Sequence, residues 1–99
     1  MKNANEVAKI TTQAIDKKAR EFIVNTVAPI IIKRAEEGKE NVSIDLLKNS
    51  LDYETACRIG PKVKEILENE FDYVVDFTKY SSYQGEDAYL IIKWGYAIK

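Results

Sequence analysis

Val7, Ile10, Ala14, Ile15, Ala19, Phe22, Ile23, Val27, Ile30, Ile31 and Ala35 recur at steps of three and four. Lys9, Gln13, Asp16, Lys17, Arg20 and Lys33 fall largely on the other side. This period predicts one long amphipathic helical region over residues 4–37. Asn3, with Glu6 three positions later, is a variant capping box, and Gly38 is a C-terminal stop. A straight helix of that length runs about 50 Å, whereas a compact domain of this size has a radius of gyration of about 13 Å. Pro29 withholds a donor from the carbonyl of Asn25 and crowds that turn, so the helix is expected to kink or break near residues 25–29. Ile30-Ile31-Ile32 would then form a second, more buried piece. In the other reading the helix stays long, and its protruding N-terminal half packs on another chain to cover Val7, Ile10 and Ala14.

Beyond Gly38 the period changes. Asn41 to Leu46 alternates, with Val42, Ile44 and Leu46 facing inward, which predicts a strand. Asp52 can cap a helix starting at Tyr53 that turns Ala56, Cys57 and Ile59 inward. Gly60-Pro61 is expected to interrupt it, with a fresh helix from Pro61 burying Val63, Ile66 and Leu67. Phe71 to Thr78 predicts a strand with Tyr73, Val75 and Phe77 on one face. Residues 79–86 read as a polar hairpin loop. In the final strand Ala88, Leu90, Ile92 and Trp94 alternate with Tyr89, Ile91 and Lys93, and neither face is polar throughout, as befits a central strand. The order α-β-α-β-β predicts a single α+β domain over residues 1–99. Its helices would cover one face of a three-stranded mixed sheet with the C-terminal strand in the middle.

Composition narrows the chemistry more than the fold. Among 99 residues there is no histidine and one cysteine, Cys57. A Ser-His-Asp triad, a Cys-His dyad and the familiar zinc sites therefore lack their parts. Fifteen basic residues against sixteen acidic ones give a net charge of −1, without the basic excess of a dedicated nucleic-acid binder. A single cysteine fits a reducing compartment, and no run approaches the roughly 18 apolar residues of a membrane span. The expectation is a cytoplasmic protein without a cofactor, a metal or a membrane partner.

Three groups of residues are candidates for function. Cys57 reads as a small buried hydrophobe, because no histidine is present to activate its thiol. Glu65, Glu68, Glu70, Asp72 and Asp76 fall in a stretch free of Lys and Arg. Such carboxylates could in principle bind Mg²⁺, but they read better as a solvated face or a patch for a basic partner. Tyr80, Tyr83, Tyr89, Trp94 and Tyr96 crowd the C-terminal strands beside Tyr73. Aromatic residues serve sheet packing, protein interfaces and base stacking alike. The local cations are few (Lys79, Lys93 and Lys99), and the signature strand of the RNA-recognition module is absent.

Taken together, a long amphipathic helix closing as Ala35-Glu36-Glu37-Gly38-Lys39, a short Val42-Ser43-Ile44 strand, a helix running into Tyr73-Val74-Val75, and a final Ile91-Ile92-Lys93-Trp94 strand resemble the small uncharacterised proteins encoded by phages and prophages of Gram-positive bacteria. Many of those have a Gly-Tyr turn where this chain has Phe71-Asp72-Tyr73. The resemblance implies an accessory protein that binds a host or phage protein and carries no established chemistry. Tyr80, Tyr83, Tyr96, Glu65, Glu68, Asp72 and Asp76 are the expected partner contacts. Val7, Ile10 and Ala14 are the expected self-association contacts of a homo-oligomer. The alternative is a single-stranded nucleic-acid module using aromatic residues on an open sheet.

Overall fold

A computed structural model describes residues 1–97; Lys99 lies outside the described residues. Helix α1 runs Ala4–Phe22, continues through a π-helical segment Ile23–Val27, and passes into α2, Ala28–Glu36. Asn3 caps α1, its Oδ1 accepting from the Glu6 N–H at 2.9 Å. Gly38, at φ +81°, ends α2 with its N–H donating to the Ala35 carbonyl and that of Lys39 to Arg34.

Pro29 neither ends the helix nor breaks it. The carbonyl of Asn25 loses its usual donor, and the chain widens into a π turn in which the Ala28 N–H donates to the Ile23 carbonyl. The α1–α2 rod is therefore about 50 Å long at 1.5 Å per residue, and the molecule measures 54 × 35 × 20 Å. Its radius of gyration of 15.0 Å exceeds the ~13 Å of a compact chain this long. The excess reflects an arm: every residue from Met1 to Ala14 is exposed.

Strand β1 is Asn41–Asp45, helix α3 is Tyr53–Phe71, and strands β2 and β3 are Val74–Ser82 and Gly85–Lys93. The sheet order is β1-β3-β2. Both pairings are antiparallel, so the sheet is not the mixed one expected. Strand β3 lies between β1 and β2 and runs against both, which leaves no parallel neighbours. Val42, Ile44, Val75, Leu90 and Ile92 point to the helices and are buried. Helix α3 lies on β2 and β3, α2 on β1, and α1 on α3.

Helix α3 is continuous through Gly60-Pro61, against the expected interruption. Its buried stripe of Ala56, Ile59, Gly60, Val63, Ile66 and Leu67 crosses the proline without a change of face. Continuity keeps Ala56 and Ile59 on the same buried face as Val63, Ile66 and Leu67, and holding that whole stripe in the core offsets the ~3 kcal/mol cost of an interior proline. Helix α3 also carries on to Phe71, so β2 starts at Val74 and not at Phe71. Asp72 closes the helix in the left-handed region at φ 61°, and the Tyr73 N–H donates to the Leu67 carbonyl.

The hairpin after β2 is longer than its composition implies. Lys79 to Ser82 pair with Ala88 to Gly85, which leaves Tyr83-Gln84 as a two-residue turn. Lys79 to Ser82, Gly85 and Glu86 are exposed and Ala88 is the one buried residue of these rungs, so no apolar alternation marks them as strand.

Candidate functional site

The acidic residues do not form one patch. Glu65 pairs with Lys62 at 3.4 Å, Glu68 with Lys64 at 2.7 Å, and Asp76 with Lys93 at 3.9 Å. Glu70 accepts from the two terminal guanidinium nitrogens of Arg20, at 3.0 and 2.7 Å. Arg20 Nε also donates to Asp16 at 3.0 Å. The Arg20 bonds hold the Glu70 carboxyl below the usual carboxylate range, and the Lys64 bond does the same for Glu68. Arg20 itself is held above its ordinary value, by Glu70 first and then Asp16. Glu65 and Glu68 sit on α3, Asp72 at its end and Asp76 on the sheet. Among the described residues no three His, Cys, Asp or Glu side chains gather as a metal site would require. No polar or charged residue among them is buried, and Cys57 is a half-buried free thiol.

The tyrosines also separate. Tyr83 is at the hairpin tip and 97% exposed, while Tyr96 lies past the other end of β3. Nine residues of strand put about 30 Å between them. Tyr80 stands opposite Asp87 on the sheet face away from the helices. Tyr73 and Trp94 pack edge to face, with ring centroids 6.3 Å apart, at the margin of the core. The open face groups Tyr80, Tyr89 and Ile91 with Asp45, Asp76 and Asp87, and Lys93 is its one cation by register.

A further concentration of exposed apolar surface lies elsewhere, where the π segment and α2 run past the end of α3. A hollow of about 300 Å³ is walled by Ile23, Val24, Val27, Ala28, Ile31 and Ile32 on one side. Leu67, Phe71 and Tyr73 form the other. It continues into a second hollow of about 350 Å³ that shares Ile31, Ile32, Phe71 and Tyr73 and adds Trp94, Tyr96 and Asp72. Val24, Ile32, Phe71 and Tyr96 are 69, 58, 55 and 59% exposed, so the groove is open along its length. Asp72 is the one charged residue among those lining it, and it has no ion-pair partner among the described residues.

The π turn shapes this groove. Widening the helix at Ile23–Val27 keeps Val27 and Ile31 on the buried face with Phe22 and Ile23, while Val24 and Ile32 lie on the surface beside them. Of the predicted site residues, the groove contains only Tyr96 and Asp72. The missed members were signalled by Ile30-Ile31-Ile32, since three successive apolar residues in a helix cannot share one buried face. Val7, Ile10 and Ala14 all lie exposed on the α1 arm.

No helix among the described residues is long and apolar enough to cross a membrane. No protein-family model matches the chain, and no match is found among curated proteins or among solved structures.

Proposed function

We propose that the protein is a non-enzymatic interaction module, an accessory protein of phage or prophage type. In this reading its groove between α2 and the end of α3 receives one face of an amphipathic helix from a protein partner. The observation that carries it is the open apolar groove with Val24, Ile32, Phe71 and Tyr96 more than half exposed. Helix-in-groove recognition uses such a surface, with apolar anchors at helical spacing. Aromatic residues at the centre of an interface supply much of its energy, and Phe71, which lines both hollows, stands in that position. Asp72 at the margin favours a partner helix with a cationic residue beside its apolar face.

The nucleic-acid alternative has weaker support. A single-stranded binder combines stacking aromatics with a cationic track for phosphates. The open sheet face here sets three aspartates against one lysine around Tyr80 and Tyr89.

The test is capture of bound material from nuclease-treated bacterial lysate by the tagged protein and by its Ile32→Asp and Phe71→Asp variants. Both positions are more than half exposed, so both variants are expected to fold, which circular dichroism checks. A stoichiometric protein held by the wild type and by Tyr83→Ala, and lost from both groove variants, supports the reading. Equal capture by all forms, or capture abolished by nuclease, refutes it.

A further inference from the structure

We infer that the exposed arm of α1 pairs antiparallel with the same arm of a second copy of this chain. The arm is a surface separate from the groove, at the opposite end of the α1–α2 rod. Val7 and Ile10 are each 49% exposed, and Ala14 continues their stripe. Residues 7–12 include Val7, Ile10, Thr11 and Thr12, all β-branched and poor helix formers. Thr55, Arg58 and Ile59 of α3 border the stripe only at Ile10, Thr11 and Ala14, and a helix end of that composition, exposed from Met1 to Ala14, gains from packing on a neighbour.

The charges beside the stripe identify the neighbour and its direction. Glu6 and Lys17 are separated by about three helical turns, so they stand on the same flank of the stripe. Neither has an ion-pair partner among the described residues, whereas Asp16 is held by Arg20 and Lys62. In an antiparallel pair about a two-fold axis, like flank meets like flank. An axis near Ile10 and Thr11 sets Val7 against the partner's Ala14. It also brings each Glu6 within about 3 Å along the axis of the partner's Lys17. Two equivalent attractions result. A parallel pair would instead bring Lys17 beside the partner's Lys18 and give Glu6 no cation. The antiparallel arrangement is self-complementary, as a closed dimer requires. Its contact area is well below that of a standard interface, so the dimer is weak and reversible.

Sedimentation equilibrium of the full chain, in a concentration series reaching about 1 mM, tests this. The wild type is expected to show a reversible monomer–dimer equilibrium. Glu6→Lys and Lys17→Glu each turn two attractions into two repulsions and should weaken dimerisation by about tenfold. The double variant should restore it, and Ile32→Asp should leave it unchanged. A wild type that is monomeric throughout overturns the proposal. So does a dimer indifferent to both charge reversals, a double variant no better than the singles, or a dimer lost on Ile32→Asp. Failure here leaves the groove reading standing, because the groove variants are read by partner capture and not by self-association.

Discussion

Gly60 is the position where adding one methyl group should test the packing of α3 on the sheet most sharply. A Cβ there would fall against the ring of Phe77, with Cδ1 at 2.7 Å and Cζ at 2.9 Å and the ring edge between them closer still. Real Cβ atoms do not approach carbon so closely. Phe77 is partly buried against the core and its backbone is fixed by pairing with Leu90, so the ring has little room to withdraw. Two effects oppose each other in Gly60→Ala. Helix propensity favours alanine by about 1 kcal/mol, and overpacking costs about 1–3 kcal/mol. The expected net effect is a loss of about 1 kcal/mol. For a domain of this size that lowers Tm by about 4–8 °C. Urea unfolding followed by Trp94 fluorescence and by circular dichroism measures it. Phe77→Leu removes the obstructing ring, so in that background Gly60→Ala should become stabilising by about 1 kcal/mol, the propensity gain alone. Stabilisation by Gly60→Ala in the wild-type background would refute the claim that Phe77 seats on Gly60.

Other outcomes follow from the same structure. Pro61→Ala restores the N–H that the Cys57 carbonyl lacks in a continuous helix, at an exposed position. It should stabilise by about 1–2 kcal/mol in urea unfolding, less than the full proline penalty because alanine also frees the unfolded chain. Asp72→Gly relieves a left-handed residue at the end of α3 and should stabilise by about 0.5–1 kcal/mol in the same assay. Glu70 has a folded-state pKa below its unfolded value because of Arg20, so its contribution is present above the ordinary carboxylate range and is lost as pH falls through the folded value. The stability difference between wild type and Arg20→Met should therefore shrink steadily below about pH 4. A difference that stayed constant down to pH 2 would contradict that assignment.

Strand β1 and the later rungs of β3 are legible in the sequence because one face is buried and the other is not, so Val42 and Ile44, or Leu90 and Ile92, alternate with polar or half-exposed neighbours. The caps at Asn3 and Asp52 are legible because each acts within three residues of itself; both side chains accept the expected N–H bond. Gly60-Pro61 misleads for the opposite reason. Locally the pair reads as a stop and a start, but the glycine is there for Phe77, a residue on a strand far along the chain. Strand pairing over Lys79–Ser82 leaves no apolar trace, since the hairpin outruns the helices that would bury one face. The groove is the least legible feature. Its walls come from the π segment and α2, the end of α3 and the residues after β3, and it depends on a π turn that keeps Val27 and Ile31 in the core register with Val24 and Ile32 outside it.

A photoreactive side chain placed at position 32, and in a second variant at position 83, tests most directly whether the groove is the recognition surface. After irradiation in nuclease-treated lysate, the groove account predicts a discrete protein adduct from position 32 and none from the still more accessible hairpin tip at 83. An adduct from position 83 with none from position 32 would contradict it.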